Sequence, residues 1–327
     1  MRQQARVKWL VTQCLAWTMV LGGVVVLGAA VSGMAFAQSA PAAASAPDLP
    51  LGSLKSVPVQ KPDLSAYIQD EAAAVALGKA FFWDQQMGSD GQTACASCHY
   101  QAGADIRTKN VVSPGVLGGS TEWFGRGPNY QLTPDDYPFH KLNDPNNPNS
   151  GVASDKNIVT GSQGVFDATF KSPGVPSVVT KGMDSCDRAA DPTFTIGSIN
   201  TRRVTGRNAP SVIDAAYNFR NFWDGRASNT FNGASPFGDR DPDAVIWLNP
   251  PGKAVAEWRK IAIPNSSLAS QAVGPAGSAF EMSCGARAFP NMGRKMLTAV
   301  PLGQQSVEAS DSVLGSYANT QTKRAVR

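Results

Sequence analysis

Histidine is nearly absent from this sequence, with two in 327 residues, His99 and His140. That excludes sites built from several imidazoles, and a zinc site would need a second cluster of ligands that His140, alone in a Pro/Asn-rich stretch, does not supply. Cysteine is scarce as well, five in all, and a second Cys-x-x-Cys pair does not occur. Charge is low: the formal net value is +4, and removal of the first 37 residues takes away Arg2, Arg6 and Lys8 and no acid. The remainder is close to neutral, so no basic surface for nucleic acid is indicated. Sustained strand alternation is missing too, which leaves no clear all-β pattern.

What is present begins with a leader. Arg2, Arg6 and Lys8 precede an uncharged run from Trp9 to Met34, and Ala35-Phe36-Ala37 follows. This reads as a secretory signal over residues 1–37 with an Ala-x-Ala cleavage site, which places the protein in the periplasm. The run is longer than a usual signal core, so an uncleaved form would anchor the chain in a membrane. Residues 38–61 read as a disordered Ala/Pro/Ser-rich tether. Cys14 leaves with the signal, and Cys186 and Cys284 remain as an even pair in an oxidising compartment. A disulfide between them and two separate thiols both fit, because sequence does not give their separation.

Folded sequence is expected from residue 62 to 315, followed by a polar, basic tail over 316–327. Asp70 should cap a helix whose Ala74, Leu77 and Phe81 share one face, ended by the turn Met87-Gly88-Ser89-Asp90-Gly91. Residues 110–201 are dense in Gly, Asn, Asp, Pro and Ser, and read as a long irregular insertion. A helix is expected from a cap at Asn208 to Tyr217, with Pro210 in its first turn. Another should run from near Asn265 through Leu268 and Gln271 to Val273, stopped by Gly274-Pro275, and a third should lie between Pro290 and Val300. The fold class this gives is mostly α, with long loop insertions.

Cys95-Ala96-Ser97-Cys98-His99 matches C-x-x-C-H, the attachment pattern of c-type haem. On one helical turn both sulfurs can form thioethers with the two vinyl groups of a porphyrin. The next residue then presents its imidazole to the iron, which makes His99 the proximal ligand of a single covalent haem c. The other iron face decides between functions. An electron carrier fills it, commonly with Met, and Met87, Met183, Met282, Met292 and Met296 are available, although each is by default core filler. A peroxidase leaves it open.

Four further stretches give the chain a resemblance to the bacterial di-haem cytochrome c peroxidase and MauG family. Leu77 to Asp84 leading through Gly88-Ser89-Asp90-Gly91 resembles that family's opening. Gly206-Arg207-Asn208-Ala209-Pro210-Ser211 and Phe222-Trp223-Asp224-Gly225-Arg226-Ala227 resemble two hallmark segments, and Gln271 to Pro275 followed by Glu281-Met282 resembles its distal-pocket motif. The resemblance implies a cytochrome-c-like haem domain that reduces hydrogen peroxide with electrons from a small donor protein, a cytochrome c or a cupredoxin. Glu281 would move the proton, Gln271 would orient the peroxide, and Trp223 would conduct electrons. Asn208 falls at the position of a calcium ligand, while also sufficing as a helix cap.

Two departures matter. The activating distal histidine of the classical branch has no counterpart between Ser198 and Thr205, so the haem is expected to be open without reductive activation, and His140 is expected to be a solvated residue. The family's second C-x-x-C-H is missing, so the chain reads as the N-terminal, peroxidatic half of a larger protein. A monohaem electron carrier and a MauG-like oxidase of a protein side chain are the alternatives.

Overall fold

The computed structural model describes residues 52–101, 104–115, 128–155, 158–176, 181–249 and 254–318. The expected signal, residues 38–51 of the tether and residues 319–327 of the tail lie outside them. The chain divides into a short unit that ends at Ser56 and a main unit from Val57 onward. The first contributes one 3-10 turn, Leu54–Ser56. No described helix is long and apolar enough to cross a membrane.

In the main unit Asp70 caps α1, Glu71–Trp83, its carboxylate accepting from Ala73 N at 3.0 Å. The buried positions are Ala76 and Ala80, and Leu77 is 50% exposed, so the core face is rotated from the expected Ala74/Leu77/Phe81 stripe. The cause is the partner. Two alanines four residues apart let the helix lie close to a C-terminal segment that supplies Leu302 and Leu314, with Val307 and Val313 at the edge. Burying the two leucines contributes about 2 kcal/mol each. Buried Asp84 receives Leu302 N at 2.8 Å, and Lys79 pairs with Asp311 at 2.8 Å, which fixes the segment along α1.

α2, Ala96–His99, is a single turn. The 110–201 stretch follows, with short strands β1 Val112–Ser113, β2 His140–Leu142, β3 Val152–Asp155, β4 Val159–Thr160, β5 Ala168–Ser172, β6 Ser185–Arg188, β7 Thr195–Ile196 and β8 Ile199–Asn200. They pair antiparallel as β1–β4, β2–β3, β5–β6 and β7–β8. Val111, Val112, Leu132 and Ile158 give the stretch a small apolar core of its own, with Tyr130 and Phe139 against it. Two- to five-residue strands are too short to show a period, which is why they were invisible in the sequence.

The expected Asn208–Tyr217 helix does not form. Asp214 adopts a left-handed backbone, φ 59°, which interrupts any helix, and only the 3-10 turn Ala215–Tyr217 remains. Beyond it lie the hairpin β9–β10, Ile246–Leu248 and Glu257–Arg259, and two helices. α3 runs Ser267–Gly277 and α4 runs Phe289–Thr298. The Gly274-Pro275 stop is overrun by one turn. Pro275 has no N–H to offer the Gln271 carbonyl four residues back, yet its ring is accepted within the last turn of α3.

Candidate active site

The turn before the Cys motif is built around Asp90. Its carboxylate accepts from the backbone N–H groups of Gln92 and Thr93, both at 2.9 Å, and from Arg202 Nη1 at 2.7 Å. Burial alone would raise its proton affinity, but the Arg202 bond and charge hold it below the usual carboxylate range. The chain thus enters α2 in a fixed direction. Within the turn, the Cys98 and His99 N–H groups both donate to the Cys95 carbonyl at 3.2 Å. A three-residue step on a helix puts Cys95 and Cys98 on one face, with His99 next to them.

Both sulfurs are half-buried and unbridged. Burial pushes the Cys95 thiol up to about 11 and raises that of Cys98 as well, so each is a neutral thiol at neutral pH. Cys95 Sγ lies 3.9 Å from Met282 Sδ. Cys98 Sγ lies 3.5 Å from Arg107 Nη2, whose partner is Asp105, 2.6 Å away with its side chain 1% exposed. Among the described residues the other two cysteines, Cys186 and Cys284, are joined to each other, which settles the pairing left open above. These residues fit a covalently attached haem c: two free thiols on one face of a turn, and an imidazole in the position that follows.

Glu281 comes to the same place from the far end of the chain. After α3 the backbone folds tightly, with Met282 N and Ser283 N donating to Ser278 O at 3.1 and 2.9 Å, and Ser283 Oγ to Ala276 O at 2.6 Å. Burial pushes the Glu281 carboxyl above the usual carboxylate range, against a hydrogen bond from Ser278 and the attraction of Arg226 and His99. Its charge is also felt at Cys95 and Cys98. Arg226 stacks on the Phe222 ring, 3.6 Å from its centre, and pairs with Asp224 at 3.1 Å. That ring abuts Gly274. Gln271, half-buried on α3, lies one turn before this contact.

Trp223 is placed differently. Its ring is 68% exposed, and its indole N–H donates to the Asn208 carbonyl at 2.9 Å. It lines an open cavity of about 740 Å³ together with Arg107, Arg207 and, from the 110–201 stretch, Tyr137 and Phe139. Arg107 therefore joins the wall that holds Trp223 to the Cys98 sulfur. Asn208 has an exposed side chain and caps no helix. No cluster of three or more His, Cys, Asp or Glu occurs among the described residues. His140 lies on β2 with its side chain 56% exposed, 3.7 Å from Asp155.

Arg107 and Arg226 were not singled out from the sequence. Arg226 sits inside the Phe222 to Ala227 segment, three residues after Trp223, but its stacking on Phe222 is visible only in space. For Arg107 the sequence offers only an Asp-x-Arg step shortly after the Cys-x-x-Cys-His motif, which by itself marks no site.

The model of the di-haem cytochrome c peroxidase family matches residues 72–172 and 178–311. The chain belongs to the di-haem cytochrome c peroxidase family. It is therefore a member of a family of haem c oxidoreductases. It is also similar to cytochrome-c peroxidase IdrP1 of Denitromonas iodatirespirans, 43% identical over 76 residues, which is 23% of this chain and 19% of that protein. The aligned stretch thus spans about a fifth of that relative. No solved structure matches. The family match runs through most of the 110–201 stretch as well as the segments that carry Cys95, Trp223 and Glu281.

Proposed function

We propose that this chain is a periplasmic c-type haem peroxidase that reduces hydrogen peroxide to water, with electrons from a small redox protein such as a cytochrome c or a cupredoxin. The observation that carries the reading is the seat of the Glu281 loop against the Cys motif: the next residue, Met282, accepts from Ser89 N at 2.8 Å and holds its sulfur 3.9 Å from Cys95 Sγ, and burial there raises the proton affinity of Glu281. The Cys186–Cys284 disulfide supports an oxidising compartment. A mostly α, cytochrome-c-like haem domain is supported by α1, α2 and α3, which carry or flank the motif and the acid.

Haem c, when bound, supplies a redox-active iron, and Cys95, Cys98 and His99 would hold it. The overall reaction consumes one peroxide, two electrons and two protons and yields two waters. Glu281 as carboxylate takes the proton from the near oxygen of the peroxide and gives it to the departing one, which turns a hydroxide leaving group into water. Gln271 orients the peroxide through its amide. Trp223, exposed on the wall shared with Arg107, is the residue through which a docked donor delivers electrons.

A second reading has one observation behind it. Met282, 2% exposed, holds its thioether 3.9 Å from Cys95 Sγ, so the chain could instead be a His/Met electron carrier. The ferric spectrum of the mature holoprotein separates the two. A high-spin spectrum that changes on adding hydrogen peroxide supports the peroxidase; a low-spin spectrum indifferent to peroxide supports the carrier. Glu281→Gln should keep the haem spectrum and lower the peroxide reaction rate by about 10²-fold or more, read by stopped flow. An unchanged rate removes Glu281 from the mechanism.

A further inference from the structure

The loop that carries Glu281 has little regular structure of its own, and what holds it comes from two distant places. The first is the turn that leads into the Cys motif. Ser89 N donates to Met282 O at 2.8 Å, Cys284 N donates to Ser89 Oγ at 2.8 Å, and Arg287 Nη1 donates to Met87 O at 2.9 Å. The second is the 110–201 stretch. Phe170 N donates to Gly285 O at 2.9 Å and Gly285 N to Ala168 O at 2.8 Å, so β5 runs beside the loop, and Cys186 of β6 is bonded to Cys284. Gly164 lies so close to the carbonyls of Phe280 and Glu281 that a Cβ there would collide with both.

Asp184 ties the two supports together. Its side chain is 0% exposed and forms ion pairs with Arg287 at 2.9 Å and Lys295 of α4 at 3.2 Å, both equally buried. Its Oδ1 accepts from Gly174 N at 2.9 Å, and its own N–H donates to Ser89 O at 2.7 Å. Lys295 Nζ donates to Gly88 O at 2.8 Å. The Arg287 approach to Asp184 is ionic more than a straight hydrogen bond, because the Nε–H does not point along the contact. Burying three charged groups is unfavourable unless they satisfy one another. Here one carboxylate faces two cations at the junction of the haem-attachment turn, the acid loop and the insertion, with Lys295 hydrogen-bonded into it and the Arg287 contact held by charge alone. Breaking one partner leaves the others uncompensated and frees the junction to move.

We infer that Asp184, together with the Cys186–Cys284 link, is a positioning residue for the peroxide reaction: it sets where the Glu281 carboxyl stands relative to the haem-attachment turn. The 110–201 stretch is on this account part of the catalytic apparatus. The inference rests on the proton-moving role proposed for Glu281. A displacement of the order of 1 Å at a proton-transfer group lowers rates by about 10²-fold, so the clamp has a kinetic signature.

The test uses the full mature holoprotein. Asp184→Asn and the double variant Cys186→Ser/Cys284→Ser are made in the wild-type and in the Glu281→Gln backgrounds. Thioether-bound haem is quantified by pyridine haemochrome, the melting temperature is recorded, and the rate of the ferric haem with hydrogen peroxide is followed by stopped flow well below melting. The expected result is normal haem attachment, a rate about ten-fold or more lower in the wild-type background, and less than about two-fold further change in the Glu281→Gln background, since coupled residues are not additive. Clamp variants that hold haem and react at the wild-type rate overturn the inference, as does an equal fall in both backgrounds, which marks a merely structural role. An unchanged rate in Glu281→Gln alone overturns the proton-moving reading and the clamp with it. Should Asp184→Asn not accumulate as a haem protein, the cysteine double variant decides.

Discussion

In the proton-moving role proposed for it, Glu281 is useful only in its charged form, because a protonated carboxyl still accepts hydrogen bonds but is far too weakly basic to take the peroxide proton. Burial raises its proton affinity, so the protonated form persists to higher pH than in an exposed glutamate. The rate of the peroxide reaction should therefore rise through an acid limb whose midpoint lies above the ordinary glutamate value of 4.5. Below that midpoint the base is blocked, above it the rate should be level, and Glu281→Gln should abolish the limb as well as lower the plateau. Stopped-flow rates across pH check this. At this scale the sequence was informative where chemistry is packed into a few consecutive residues. Cys95, Cys98 and His99 are one turn, and their geometry follows from helical spacing alone. Asp184, Arg287 and Lys295 were not legible, since each is an ordinary charged residue until the chain brings positions 184, 287 and 295 into one dry junction.

Among the elements, α1 shows what local rules can and cannot supply. Asp70 as its cap follows from residue type and position, and the bond to Ala73 N is present. Asp70→Ala should lower stability by about 1 kcal/mol, seen as a lower urea midpoint with the peroxide rate unchanged. The rotation of its buried face to Ala76 and Ala80 was not legible, because the partner surface around Leu302 and Leu314 lies more than two hundred residues away in sequence. α4 was found within a residue or two of its expected bounds, helped by Pro290 in the first turn. The failed helix after Asn208 has the opposite lesson. A favourable cap and a proline give permission for a helix, but the left-handed Asp214 and the Trp223 indole bond to the Asn208 carbonyl show that tertiary contacts used the segment as an extended wall. Asn208, read as a cap, serves instead through its backbone.

For the whole molecule, the Cys186–Cys284 link closes a loop of 98 residues in sequence separation. Its removal in Cys186→Ser/Cys284→Ser should lower unfolding stability by about 2–5 kcal/mol, measured by denaturant titration of the haem protein. A loss near zero would mean that the ion pairs and the β5 contacts already hold the loop without it. The even count of two spare cysteines made this bond plausible from the sequence. Whether the two came within reach depended on β5 and β6 folding back beside the acid loop, and no local pattern announced that.

The two pairs of cysteines impose an order on biogenesis. On the export proposed above, a polypeptide delivered N-terminus first exposes Cys95 and Cys98 before either member of the lasting bridge has emerged, and two thiols three residues apart are open to oxidation to each other. The same environment that must join Cys186 to Cys284 therefore threatens the sulfurs reserved for porphyrin. Cofactor capture has to outrun oxidation at the front of the chain, or be preceded by a reductant acting there, while leaving the later pair to be sealed. Production in a host that oxidises exported thiols but lacks haem-attachment machinery should accordingly yield colourless protein with shuffled cross-links.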